Sequence, residues 1–412
     1  MLQANPPISS TARRLIAARA LRSVGQGALV VDFALYLHAL HWSPVAIGSV
    51  FMGGLVFGGV LTLLLGPLSD RLGRRHFLLG YELSQMAAAL VALFSQQPAL
   101  IALAAVIGGF GRGANGSPGP FAPVEQSWLA GEIVPALRGS VFSLNTALGF
   151  FGMALGALGA MIPGLIHSGH PPAEDYRVLF VIVLLGSFAC FALLYGAADP
   201  LRRDAAPAGA EPDTGRADRR LRENGLLLRL VGVNAINGLG IGLIGPLMAY
   251  WFELRFGVGP AAIAPMMSLA FVVTGLASLI AGRLSRHIGV VDAVVWPRLV
   301  GLLLLIPMAL APSFFWAGFF YVLRSGLNRG TVGARQALGV SLVGDDRRGL
   351  AASLNTVSMM LPLAVGPVVA GAFFQAGMLL PPFLLAAGLQ GVYLYLYHRL
   401  FRAHDPGRRA AG

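Results

Sequence analysis

The sequence contains no lysine: all 30 of its basic residues are arginine. A phosphate-binding Walker loop needs a lysine, and so does a Schiff-base site. An ATP-driven pump would therefore need a separate subunit, and imine chemistry is excluded. Cysteine is nearly absent too. Cys190 stands alone inside an apolar run, which excludes an internal disulfide and reads as a small buried hydrophobe. Charge is scarce: 12% of the 412 residues are charged, against about 25% in ordinary soluble domains. Apolar residues take the remaining room, 56% of the chain, in runs of about twenty, the length that crosses a bilayer core as a helix. The fold class is therefore an all-α polytopic membrane protein. The net charge of +12 fits arginines gathered at a membrane face and does not ask for nucleic acid. The opening MLQANPPISSTARRLIAARALRS has no cleavage site before its first apolar run, so that run is expected to stay as a helix.

Twelve spans are predicted, at roughly 21–41, 46–68, 77–95, 99–128, 139–162, 178–198, 228–252, 261–283, 291–311, 314–341, 350–376 and 382–400. The first six are separated from the last six by Asp199–Asn224, whose alanine, proline, glycine and charge read as a flexible linker. The expected organisation is an N-terminal six-helix bundle over 1–198, a cytoplasmic linker over 199–227, a C-terminal six-helix bundle over 228–401 and a cytoplasmic tail over 402–412. Loop arginines crowd the N-terminus, the linker, the tail and alternate loops, while the opposite loops hold only Arg177 and Arg255. By the positive-inside rule both termini are cytoplasmic, in an inner or plasma membrane.

The halves repeat. SLNT at Ser143–Thr146 recurs at Ser353–Thr356, and the same shift of 210 pairs Gln126 with Gln336, Arg138 with Arg348 and Gly139 with Gly349. At a shift of 216, GPLSDRLG (Gly66–Gly73) aligns with GRLSRHIG (Gly282–Gly289), and Pro44 with Pro260. Six spans plus six, in parallel repeats, is a transporter layout. The stretch Gly66, Leu68, Asp70, Arg71, Gly73, Arg74, Arg75 resembles the loop signature G-x-L-x-D-R-x-G-R-R of the major facilitator superfamily. The resemblance implies twelve helices in two pseudo-symmetric six-helix bundles around a central cavity, working by alternating access.

It also implies a conformational latch. Asp70, at the end of span 2, would accept hydrogen bonds from the free N–H groups at the start of span 11, near Gly349 to Ala352. Arg74 could pair with Glu125 or Glu132. Gly66 and Gly73 permit close helix approach and a tight turn, while Arg71 and Arg75 also read as plain positive-inside anchors. Arg286 stands where Asp70 would repeat, so the latch should be asymmetric.

Ionisable groups inside a span are costly and are functional candidates. With Arg22 taken as the cytoplasmic surface, Asp32 lies ten residues in, about 15 Å deep at 1.5 Å per residue. It is the first choice for a proton or cation site, because a buried carboxyl can load and release a proton. Glu82 is a weaker proton-site candidate. Arg112 follows Pro98 by fourteen residues, about 21 Å from the outer surface. RGANG, Arg112–Gly116, resembles the R-x-x-Q-G signature of proton-coupled antiporters, with Asn115 in the glutamine's place; the resemblance implies that Arg112 couples protonation of Asp32 to solute binding. Pro118, Pro120 and Pro123 should bend or break span 4. Arg324, with Asn328 and Arg329 near it, is the span 10 counterpart. Tyr36, Asn115, Asn234, Asn237, Arg324 and Asn328 are the candidate solute ligands, and Tyr250 and Trp251 possible walls. In span 5, Gly152, Gly156 and Gly159 keep the glycines of the antiporter pattern G-x-x-x-G-P-x-x-G-G, but Ala157 replaces its proline, and GxxxG spacing also marks close helix packing.

Two or three arginines at one cavity would suit an anionic solute, and Asp32 alone a cation. The reading is a secondary transporter exporting a small amphipathic solute in exchange for protons, with proton-coupled or facilitative uptake of an anionic metabolite as the alternative. A non-transporting sensor or assembly protein is a third reading, which the burial cost of Asp32, Arg112 and Arg324 opposes. No nucleophile–base pair suggests an enzyme. HSGHPPAED, His167–Asp175, is a weak metal pattern, so no metal and no cofactor are expected. The partners are a small-molecule substrate, protons and the lipid bilayer, with the chain acting as a monomer.

Overall fold

A computed structural model describes residues 9–113, 119–134, 137–197, 216–333, 335, 338 and 348–405, with only the backbone of 65–67, 70–72, 138–139, 216–219, 222, 281–286, 348–350, 352 and 404. Among them there are helices and no strands. The first half holds α1 (Ser10–Ala39), α2 (Pro44–Leu72), α3 (Arg74–Phe94), α4 (Pro98–Gly108), α5 (Ala122–Gly131), α6 (Arg138–Gly159), α7 (Ile162–Ile166) and α8 (Arg177–Tyr195). The second holds α9 (Arg216–Gly242), α10 (Met248–Phe256), α11 (Pro260–Ile288), α12 (Val290–Leu303), α13 (Leu305–Leu310), α14 (Phe314–Arg329), α15 (Arg348–Gln375) and α16 (Pro381–Phe401).

Local chemistry starts and stops these helices. Ser9 Oγ accepts from the backbone N–H of Ala12 at 3.0 Å and caps α1. Pro44, Pro98, Pro260 and Pro381 open their helices, where a missing N–H costs nothing. The repeat reaches the backbone. Gly73 (φ 91°) turns α2 into α3, and Gly289 (φ 88°), 216 residues on, turns α11 into α12. A side chain is strained at that φ.

Nine helices among the described residues are long and apolar enough to cross a membrane. The shortfall from twelve predicted spans has visible causes. Span 4 is broken into α4 and α5, α14 has 16 residues, and α16 carries Gln390 and four tyrosine or histidine residues in its second half. The stretch read as linker is helical from Arg216. The start of the predicted tail docks: Asp405 is buried and accepts from the N–H groups of Val290 and Val291 at 3.1 and 2.9 Å, capping α12.

In the first half α1 packs on α6 and α8, and α3 on α8; in the second α9 packs on α15 and α16, and α11 on α14. The halves meet along two equivalent seams, α2 with α15 and α11 with α6. Gly156 shows why α1 and α6 come so close: a Cβ there would run into the carbonyl of Val24. The span 5 glycines therefore pack helices.

Candidate functional site

The buried polar groups fall into three places. The first lies inside the N-terminal bundle. Arg22 donates from Nε to Glu82 at 2.6 Å and from Nη1 to Glu125 at 2.5 Å, with all three side chains almost wholly enclosed. Its third nitrogen reaches Cys190 Sγ at 3.5 Å, and its guanidinium stacks over Tyr81. This corrects the depth scale. α1 begins twelve residues before Arg22, about 18 Å of helix, so Arg22 is a buried ion-pair centre and not a surface marker. Glu125 faces Arg22, Arg74 donates to the carbonyl of Ser127 at 3.4 Å, and Glu132 accepts from Ser9.

Beside this triad is a small cavity of about 20 Å³ lined by Arg22, Gln26, Gln85 and Arg112 among others. Arg112 sits in the break of span 4. The break begins at glycines ahead of the prolines: Gly109, Gly111 and Gly113 all have positive φ. Arg112 donates to the carbonyls of Gly109 at 3.2 Å and Gly54 at 3.3 Å, and a Cβ on Gly58 or Gly109 would occupy its place. Backbone carbonyls hold this cation, and the structure does not bring it to Asp32.

The second place is a larger cavity of about 50 Å³ in the C-terminal bundle, between α9, α12, α14, α15 and α16. Arg298, Arg324, Arg329 and Arg335 line it, and no aspartate or glutamate among the described residues does. Their partners are neutral. Arg298 donates to Asn237 Oδ1 at 3.0 Å and Thr331 Oγ1 at 3.1 Å and lies over Tyr393. Arg324 donates to Gln390 at 3.2 Å, Arg329 to the Tyr321 hydroxyl at 3.1 Å, and Arg335 to the Met359 sulfur at 2.7 Å. Arg324 Nε, Arg329 Nη1 and Arg335 Nε are buried without a hydrogen-bond partner.

The third place is the contact between the halves at the end away from the N-terminus. Backbones meet closely there: a Cβ on Gly48 would strike the carbonyl of Pro367, one on Gly371 that of Pro44, and one on Gly259 that of Gly169. Ser268 donates to the carbonyl of Ala154 at 2.9 Å. Glu253 of α10 takes His38 at 3.1 Å and His170 at 3.8 Å, so one carboxylate of the second half holds two histidines of the first. Asp32 lies just beneath, seven residues before the end of α1. It is fully enclosed, neither oxygen has a hydrogen-bond partner, and Glu253 is the charge in reach. An ionised carboxylate there carries a large uncompensated burial cost; a neutral carboxylic acid carries a much smaller one.

Among the other sequence candidates, Arg324 and Asn328 line the arginine cavity. Asn237 supports Arg298 from behind. Asn234 Nδ2 bonds Asn355 Oδ1 at 2.8 Å and ties α9 to α15. Tyr36 packs among Phe33, Tyr176 and Phe180, and Tyr250 and Trp251 are likewise core. Glu82, a proton-site candidate, is ion-paired. Gly66 is described by its backbone alone, within α2; the side chains of Asp70, Arg71 and Arg286, and all of Asn115, Gly116 and Pro118, lie outside the described residues, so the latch contact near Gly349 does too. His167 pairs with Asp175 at 2.5 Å, apart from His170. Three buried arginines of these polar sites are not among the sequence candidates: Arg22, Arg298 and Arg335. The repeat contained the signal. The shift of 216 carries Glu82 onto Arg298, and the shift of 210 carries Glu125 onto Arg335.

The model of the Major Facilitator Superfamily matches residues 15–233. The chain is 22% identical over 321 residues to an uncharacterised membrane protein of Saccharomyces cerevisiae, covering 70% of this chain and 71% of that one. It is 32% identical over 163 residues to the arabinose-proton symporter of Bacillus subtilis, covering 37% of this chain and 33% of that protein. In structure it is similar to a bacterial homolog of the human lysosomal transporter Spinster in an inward-facing, unoccupied conformation, with a TM-score of 0.72 at 14% identity over 97% of this chain and 98% of the other.

Proposed function

The chain belongs to the major facilitator superfamily, and we propose that it is a proton-coupled secondary transporter that carries a small solute by alternating access, with Asp32 as the proton carrier. It is a multi-pass membrane protein and not an enzyme. The observation that carries the coupling is the setting of Asp32: enclosed, without a hydrogen-bond partner, and beneath a contact that joins the two halves. Opening that contact would wet the carboxyl and let its proton leave, and closing it again requires the proton back. Protonation is thereby tied to the conformational cycle. Glu82 cannot serve equally, since Arg22 neutralises it. The relative named as an arabinose-proton symporter supports protons as the coupling ion. The loop arginines put both termini in the cytoplasm, which makes the Glu253 contact the external seal in an inner or plasma membrane.

Export of an amphipathic solute in exchange for protons and uptake of an anion together with protons would use the same carboxyl, and the sign of the pH change separates them. The test uses purified protein in liposomes with an imposed pH gradient and an internal pH dye, challenged with cationic drugs, organic anions and sugars. One chemical class is expected to move protons. Asp32→Asn is expected to lose that movement while still exchanging labelled solute of the same class. Unchanged proton movement in Asp32→Asn would remove the residue from the mechanism.

A further inference from the structure

The buried charges at equivalent positions of the two bundles are treated in opposite ways. In the N-terminal bundle Arg22 is matched by Glu82 and Glu125. At the positions equivalent by sequence shift to Glu82 and Glu125 the C-terminal bundle has Arg298 and Arg335, and Arg298 meets the neutral Asn237. Both carboxylates have become cations, and the groups these cations meet, Asn237, Thr331 and Met359, are neutral. With Arg324 and Arg329 the cavity gathers four guanidinium groups, and no acid among the described residues faces them.

A buried charge is ordinarily paired, because leaving it unpaired costs several kcal/mol by general estimate. Four in one cavity are not explained by helix tying. The bonds they make go to an amide, two hydroxyls, a second amide and a thioether, and three buried N–H sites stay unused. Guanidinium forks match carboxylate and phosphate oxygens in geometry as well as charge. The rest of the lining is apolar, with Ile241, Ile244, Met248 and Met359. Resting on the transporter reading above, we infer that this cavity binds the oxyanion group of an organic anion with an apolar body, and that the solute carried belongs to that class. Asp32, the group that would have called for a cation, lies outside this cavity.

Binding is read without transport. Purified full-length protein in detergent is heated with phthalate, phenyl phosphate, inorganic phosphate, glucose or tetraphenylphosphonium at millimolar concentration. Phthalate and phenyl phosphate are expected to raise the unfolding midpoint, and their ranking tells carboxylate from phosphate. Inorganic phosphate should raise it less, and glucose and tetraphenylphosphonium not at all. Arg298→Gln and Arg335→Gln should each weaken anion binding by about tenfold or more. Their unliganded midpoints should hold or rise, since each removes an uncompensated cation. A purely structural role makes the opposite forecast, a lower midpoint with anion affinity intact. The inference is overturned by that outcome, by equal stabilisation from glucose or tetraphenylphosphonium, or by no shift with either organic anion. The two readings fail separately. Anion binding with proton movement indifferent to Asp32→Asn keeps the cavity and removes the coupling site; proton movement driven by cations alone does the reverse.

Discussion

Replacing Arg22 by methionine tests the charge logic of the N-terminal bundle most directly. The variant keeps a long flexible side chain but strands Glu82 and Glu125, which now share the enclosed space with no cation between them. At an effective dielectric of about 20, unit charges 2.6 Å apart attract by about 6 kcal/mol. Desolvation offsets much of that, so losing one partner of a buried pair costs about 3–5 kcal/mol in practice. A loss of that size should lower the thermal midpoint in detergent by several degrees, read by the tryptophan fluorescence of a chain with five tryptophans. The informative variant is the triple, Arg22→Met with Glu82→Gln and Glu125→Gln. It buries no charge and should recover most of the lost stability. A triple variant no more stable than Arg22→Met would refute the reasoning. The site would then be held by shape, through Tyr81 and Cys190, and not by charge balance.

Two further predictions concern how the halves and helices meet. Gly156→Val places a branched side chain against the carbonyl of Val24 and should separate α1 from α6, leaving little folded protein in size-exclusion chromatography, whereas Gly225→Ala, which meets nothing, should elute as wild type. Glu253→Gln weakens the hold on His38 and His170 and should loosen the seal; in a Cys190→Ser background, Ser268→Cys should then react faster with a membrane-impermeant maleimide. An unchanged rate would mean that close backbone contact alone keeps that end shut.

Composition and repetition in one dimension carried the architecture. Runs of about twenty apolar residues have few options other than helices across a bilayer, because each backbone polar group must be satisfied within its own segment. Proline at helix starts and glycine at 73 and 289 punctuate those helices in both repeats, so the pseudo-symmetry is written in local chemistry. The break in span 4 was also legible, although the glycines at 109, 111 and 113 mark its start more closely than the prolines do.

Which buried charges are satisfied was decided only by the tertiary structure. Arg22 reads as a membrane-face arginine until α1 is seen to begin at Ser10, and Glu82 reads as a free carboxyl until Arg22 is found 2.6 Å away. Asp32 and Arg112 look like partners in sequence, but one lies beneath the seal and the other in a glycine cradle. Pairing depends on helices brought together from distant parts of the chain, and 1.5 Å per residue along one helix fixes depth but not which neighbour faces it. The sequence by itself determined a two-repeat helical membrane protein with a handful of buried charges. Only the packing decided that Arg22 is neutralised by two carboxylates while the four arginines of the second bundle's cavity are not, because compensation is a property of distances across helices and not of residues along them.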